Sequence, residues 1–116
     1  MSSYELERLD DGEADIVQVR LAGELDLTNA GELEERLVEI ASPDARLVID
    51  LNRVVFVDSA ALHVLFSVAR RYEKGKLVLV LETTAPIARA IAIVGLGEAA
   101  QIVVSSDEVP STASPT

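Results

Sequence analysis

The sequence has no cysteine, no tryptophan and one histidine, and its aromatic residues are two tyrosines and two phenylalanines. Without cysteine it can form neither a disulfide framework nor a thiolate site. A single histidine, His63, is also too few for the ligand sets that structural zinc sites use. We therefore expect no metal site and no cofactor, and a core built from the 49% of residues that are hydrophobic.

Long apolar runs are also missing. No stretch approaches the roughly 20 residues that a membrane-spanning helix needs. Residues 1–10 have neither the basic start nor the apolar segment of a secretory signal. We therefore expect a cytoplasmic protein that has no membrane partner.

Positive charge is scarce, because 20 acidic residues face 10 basic ones and the formal net charge is −10. Duplex nucleic acids are bound by clustered lysines and arginines, and Arg70, Arg71, Lys74 and Lys76 form the one cluster in the chain. That cluster is typical of a helix end, where cations favour the carbonyl pole. We expect no nucleic-acid partner, and an acidic surface that favours a basic surface on another protein.

The hydrophobic pattern of the 116 residues predicts one α/β domain. A weak strand at residues 4–9 and an alternating strand at 16–23 pair as a hairpin around the Asp-Gly turn between them. A helix at residues 28–42 follows, with Thr28 or Asn29 as its cap. Its expected core residues recur at helical spacing: Ala30, Leu33, Leu37, Ile40 and Ala41.

The second half of the chain alternates strands with helices. Residues 46–58 predict a strand and a following extended turn, and residues 76–82 predict a buried strand. The helix between them has an expected core stripe of Leu62, Leu65, Phe66, Ala69 and Tyr72. Its other side carries His63, Ser67, Arg70, Arg71 and Lys74.

A third helix is predicted from Pro86 to Gly95, with Thr84 as its cap, and a short strand follows at residues 99–105. The order is β-β-α-β-α-β-α-β, which predicts a mixed central sheet with packed helices and parallel later strands. We expect the domain to span residues 1–104. Residues 105–116 are polar and lack periodicity, so we expect a disordered C-terminal tail.

Asp58 and Ser59 stand where a buried strand becomes an amphipathic helix. One interpretation is structural, since either residue could cap the helix for about 1 kcal/mol. The other is functional, because the first turn of a helix favours an anion and would accept a phosphate on Ser59. Such a phosphate would add about −1.5 to −2 charge beside Asp58. On the residues alone, the cap is the favoured interpretation.

Catalytic machinery is not evident. Ser59 lacks the G-x-S-x-G elbow, and His63, one turn further along the helix, points along it rather than at the hydroxyl. A receiver-type domain is an alternative in which Asp50 accepts phosphate beside the acid pair Asp10 and Asp11. No lysine ends a late strand as that hypothesis requires. We expect a protein that is not an enzyme.

Three segments together resemble the STAS domain family, in particular the bacterial anti-sigma-factor antagonists. "FVDSAALHVLFSVARRYEKGKLVLV" is similar to the family's central segment, and "VRLAGELDLTNAGELEERL" to its second strand, G-E-[LIV]-D turn and first helix. "APIARAIAIVGLGEAAQIVVS" is similar to its closing helix, Gly-Leu turn and last strand. The resemblance runs from about residue 16 to residue 104 with its elements in order, and it implies a single STAS-like domain.

The resemblance also implies a switch between partners. It makes Ser59 the phosphorylation site of an anti-sigma factor that is also a serine kinase of the histidine-kinase-like ATPase fold. The unphosphorylated antagonist binds that kinase and frees a sigma factor, and a metal-dependent serine phosphatase resets the switch. We expect a monomer or weak dimer. The residues expected at the partner-binding surface are Asp26, Thr28, Asn29, Asp58, Ala60, Ala61, Leu62 and His63.

The chain departs from the family pattern directly after Ser59. The family usually reads D-S-[ST]-G-[LIV], whereas this chain has Ala60 without the second hydroxyl and Ala61 in place of glycine. We expect the added methyl group of Ala61 to weaken or retune the docking of a kinase. The alternative function is a STAS scaffold subunit of a signalling or membrane transport assembly, in which Ser59 only caps its helix.

Overall fold

The computed structural model describes residues 3–10, 15–41, 44–71, 76–94 and 101–103. Its elements, in chain order, are β1 Tyr4–Arg8, β2 Ile16–Leu25, α1 Ala30–Ile40, β3 Arg46–Val57, α2 Ser59–Ala69, β4 Leu77–Val80, α3 Ala88–Val94 and β5 Gln101–Val103. The strands form one sheet in the order β1-β2-β3-β4-β5. β1 runs antiparallel to β2, and the later pairs are parallel. The predicted element order and mixed sheet are confirmed.

The weak first strand is confirmed by its pairing with β2. Tyr4 lies opposite Gly23 and Leu6 opposite Leu21, so the two strands form the predicted antiparallel pair. The side chains of Tyr4 and Leu6 are half-buried and pack against the main core. The Asp-Gly turn lies at residues 11–14, outside the described residues.

Gly23 is the glycine of the Gly-Glu-Leu-Asp segment, and the backbone requires it. Its φ is +95°, and a Cβ added there would lie 2.5 Å from the carbonyl oxygen of Ser3. The β2–β3 register shifts between Gly23 and Glu24, and the Glu24 N–H donates to that same Ser3 carbonyl at 2.9 Å. This close approach between the backbones of Ser3 and Gly23 fixes the position of the last residues of β2, and therefore of the loop that follows them.

β3 is one uninterrupted strand of 12 residues rather than a strand and an extended turn. Its pairing with β2 continues past two register shifts until Leu25 meets Val57, and this pairing keeps the second half extended. Consecutive burial of residues 47–49 confirms that its first half is covered on both faces. Val55 and Phe56 near its end are exposed.

The three helices contribute to one main core cluster with the sheet. The helical spacing of α1 is confirmed for Ala30, Leu33 and Leu37, which are buried, whereas Ile40 and Ala41 at its end are half-buried. The stripe predicted for α2 is confirmed in part: Leu65 and Ala69 are buried as predicted, but the other buried residues of the helix are Ala61, Val64 and Val68. Leu62 and Phe66 lie half-buried at the edge, since this helix is apolar enough to offer two overlapping stripes. Tyr72 and Lys74 fall outside the described residues.

α3 begins at Ala88, two residues after the predicted start at Pro86. The preceding residues form turns, in which the Ala85 N–H donates to the Glu82 carbonyl and the Ala88 N–H to the Ala85 carbonyl. Thr84 is therefore not the cap of this helix. The predicted helix end at Gly95 and the tail from residue 105 lie outside the described residues.

Candidate functional site

The start of α2 lies beside the loop of residues 26–29, which joins β2 to α1. β2 and β3 are parallel neighbours whose last paired residues are Leu25 and Val57. Their carboxyl ends therefore meet at one edge of the sheet. Because the next residues of each strand continue from that edge, the 26–29 loop and the Asp58–Ser59 pair are brought together.

Asp58 connects these two segments through its carboxylate. One oxygen, Oδ1, accepts a hydrogen bond from the Ala61 N–H at 3.0 Å, which caps α2. The other, Oδ2, accepts from the Leu27 N–H at 3.0 Å across the gap to the loop. The Asp58 N–H also donates to the Leu25 carbonyl at 3.2 Å. Of the two predicted cap residues, Asp58 is the N-cap, and Ser59 is the first residue of the helix.

The 26–29 loop is held by its own side chains as well. Asp26 Oδ1 accepts from both the N–H and the hydroxyl of Thr28. Asn29 Oδ1 accepts from the Asp26 N–H at 3.0 Å, and its Nδ2 donates to the Glu24 carbonyl at 2.9 Å. Asn29 occupies the N-cap position of α1, yet its side chain makes no cap hydrogen bond to that helix. The predicted cap residue therefore stabilises the loop instead of the helix.

Most of the predicted site residues reach the surface. Ser59, Thr28 and His63 are exposed, and the half-buried residues are Asp26, Asp58, Ala60 and Leu62. Two predicted partner-binding residues do not reach it: Ala61 is 0% exposed and Asn29 is 8% exposed. Ala61 packs into the core from the inner side of α2, so its methyl group does not lie at the surface of this structure.

Leu27 was missed by the reasoning from sequence, although its side chain is 78% exposed at this surface. A signal was available. Leu27 lies between the turn-forming residues Asp26 and Thr28, before the predicted start of the helix at residue 28. An apolar residue inside a turn is less constrained to the core than one in a strand or helix, and this was the available sign that Leu27 lies at the surface.

Asp50 does not have the position that the receiver-type hypothesis requires. It lies inside β3, which continues to Val57, rather than at the end of a strand. Its Oδ1 accepts from the Asn52 N–H at 2.9 Å, and Oδ2 lies 3.8 Å from Arg20 Nε. Asp10 also has other partners, since its Oδ1 bonds the Arg8 side chain at 2.8 Å and the Gln18 N–H at 3.1 Å. The hydrogen bonds of Asp50 and Asp10 tie them to the sheet, and Asp11, the other acid of the predicted pair, lies outside the described residues.

Another set of polar contacts links the edge strand β1 to the first turns of α1. The Tyr4 hydroxyl donates to Glu32 Oε1 at 2.7 Å, and Arg36 Nη1 donates to the Tyr4 oxygen at 3.2 Å. The Arg36 guanidinium also lies 5.6 Å from the centre of the Tyr4 ring. Burial, followed by the hydrogen bond to Glu32, raises the pKa of Tyr4. This cluster ties β1 to α1.

Two further features of the described residues bear on the class of site. Among them, no group of three or more histidine, aspartate or glutamate side chains is placed to hold a metal ion. In the same part of the chain, every helix is too short or too polar to span a membrane.

Comparison with known proteins places the chain in a family. The model of the STAS domain matches residues 10–108. No curated protein sequence shows significant similarity to the chain.

Several solved structures of anti-sigma factor antagonists are similar to the chain. One from Mycobacterium paratuberculosis is 25% identical, with a TM-score of 0.77 over 92% of this chain and 91% of that one. Unphosphorylated SpoIIAA is 16% identical, with a TM-score of 0.63 over 90% and 91% of the two chains. The phosphorylated form, described as a Bacillus cell fate determinant, is 18% identical, with a TM-score of 0.55 over 90% and 95%. The two SpoIIAA structures show a shared fold, and the predicted fold is confirmed.

Proposed function

The chain belongs to the STAS domain family, and on that premise we propose that it is an anti-sigma-factor antagonist switched by phosphorylation of Ser59. Unphosphorylated, it binds an anti-sigma factor that is also a serine kinase of the histidine-kinase-like ATPase fold, and this binding releases a sigma factor. Phosphorylation of Ser59 ends the binding, and a metal-dependent serine phosphatase restores it. The chain acts in the cytoplasm as a substrate of the kinase, not as an enzyme.

The observation that carries the proposal is the division of roles between Asp58 and Ser59. Asp58 caps α2 and bonds the 26–29 loop, whereas Ser59 is exposed in the first turn of the helix. Modifying Ser59 therefore leaves the cap in place. Because the free N–H groups of a helix start favour an anion, the fold tolerates a phosphate there.

A phosphate on Ser59 changes the surface in a direct way. It adds about −1.5 to −2 charge next to a carboxylate that already accepts two hydrogen bonds. A partner that packs closely against α2 and the 26–29 loop has to accommodate that hydrated dianion or leave. Release on phosphorylation follows from this cost of desolvating the charge.

The experiment compares two baits, Ser59→Ala and Ser59→Asp, in pull-downs from a lysate of the source cell. We expect the alanine bait to hold an ATPase-fold kinase and the aspartate bait to lose it. Ser67→Asp is the matched control, because it places the same charge on the same helix two turns further on. That variant should hold the kinase.

The outcome that contradicts the proposal is equally specific. If the Ser59→Ala and Ser59→Asp baits hold the same partners, Ser59 is structural, and the chain acts as a STAS scaffold in a larger assembly. If Ser67→Asp releases the kinase as fully as Ser59→Asp does, the effect is one of general charge and not of the Ser59 site.

A further inference from the structure

Leu27 is the most exposed large hydrophobic residue in the described part of the chain, at 78%, and Ile93 follows at 75%. Single exposed hydrophobic residues are common on soluble proteins and need no explanation by themselves. Leu27 differs from Ile93 in its setting. It lies in a four-residue loop, and that loop is bonded to the helix that begins with Ser59.

Three sets of hydrogen bonds hold the backbone around Leu27. Its own N–H donates to Asp58 Oδ2 at 3.0 Å. The residues before and after it are bonded to each other, since the Thr28 N–H donates to Asp26 Oδ1 at 3.0 Å. Buried Asn29 ties the loop to the end of β2. Because this backbone is already ordered, binding through Leu27 does not have to order the loop, and this favours binding.

We propose that Leu27 is the apolar anchor through which the kinase holds this chain, inserted into an apolar pocket that is bordered by lysine or arginine side chains. The charges of the loop support this partner chemistry. The charged residue in the loop, Asp26, and the two charged residues that its hydrogen bonds reach, Glu24 and Asp58, are all acidic. The proposal rests on the proposed function, because it names how the same partner recognises the chain.

Asp58 makes the anchor and the modification site one unit. It bonds the Leu27 N–H and directly precedes Ser59 in the chain, so the position of Leu27 relative to Ser59 is set by one carboxylate. When a kinase binds Leu27 in its pocket, Ser59 therefore lies at a fixed position relative to that pocket. Leu27 contributes to the choice of partner, and Ser59 to the state of the switch.

The test measures the affinity of the purified kinase, identified from the Ser59→Ala bait, for a set of unphosphorylated variants by calorimetry. Leu27→Ala should bind about 10- to 100-fold more weakly than wild type, the effect of removing a central hydrophobic anchor. Ile93→Ala is the matched control, because it removes an equally exposed aliphatic side chain from α3. It should bind within about twofold of wild type, as surface contacts outside a hot spot do.

A conservative variant, Leu27→Met, should retain most of the affinity, because it keeps the apolar volume. Leu27→Ala binding as tightly as wild type would overturn the anchor, and so would equal losses in Leu27→Ala and Ile93→Ala. Both results are distinct from failure of the proposed function. In that failure Ser59→Asp binds the kinase as wild type does, or the Ser59→Ala bait captures no kinase of this fold.

Discussion

The two helices that meet this surface begin in different ways. α2 is capped by Asp58, whose carboxylate bonds the Ala61 N–H inside the helix and the Leu27 N–H outside it. α1 begins after Asn29, whose side chain bonds Asp26 and Glu24 and leaves the helix uncapped by that side chain. Both N-cap residues are of types that helix starts favour. Only Asp58 caps its own helix with its side chain.

The difference shows what each N-cap side chain does at this surface. α1 has a narrow stripe of buried residues, and packing of that stripe stabilises a helix without a side-chain cap. Its N-cap asparagine is therefore free to hold the 26–29 loop. At the start of α2 one carboxylate both caps the helix and bonds the loop, so Asp58 is the residue that stabilises the link between β3 and α2. Ser59, the neighbouring hydroxyl, is left for another role.

The largest expected effect is that of Asp58→Ala on the free energy of unfolding. The variant loses the cap, about 1 kcal/mol, and the charged hydrogen bond to Leu27, so we expect a loss of about 2 to 3 kcal/mol. Asp58→Asn keeps one acceptor oxygen and should lose about half as much. Urea denaturation followed by circular dichroism measures both variants. A change below about 0.5 kcal/mol in Asp58→Ala would show that the carboxylate does not connect the two segments.

A smaller effect is expected for Asn29→Asp. Asparagine and aspartate are nearly equal as ordinary N-caps, so an account based on capping predicts little change. Here the aspartate would lose the donor to the Glu24 carbonyl and place a carboxylate against it, which should cost about 1 to 2 kcal/mol. The same denaturation measurement decides between the two accounts. A variant as stable as wild type would mean that Asn29 does not hold the loop.

Much of the fold could be predicted because its signals are local. Alternation in residues 16–23, helical spacing in α1 and a run of buried residues in β4 each depend on a few neighbouring residues. The misplaced features depend on contacts between distant segments. The second half of β3 stays extended because it pairs with β2, and the α2 stripe is chosen between two apolar faces by the sheet beneath it.

The same distinction holds for the site. The Asp58–Ser59 pair could be found from a change of pattern within a few residues, and the structure places both residues at the start of α2 as expected. The contact between Asp58 and Leu27 joins positions 31 residues apart, and no local pattern contains it. Ala61 was predicted at the partner surface because the family motif lies there, but its side chain faces the core.

The smallest expected effect tests the central claim, that Asp58 carries the structure at this joint and leaves Ser59 free to act as the switch. The free energy of unfolding of Ser59→Ala should lie within about 0.5 kcal/mol of wild type, as expected for an exposed residue that is not the cap. Urea denaturation measures it, and the loss measured for Asp58→Ala in the same experiment shows how large the effect of removing the true cap is. A loss of about 1 kcal/mol or more, the value of a helix cap, would show that Ser59 is itself a structural residue and would contradict the account.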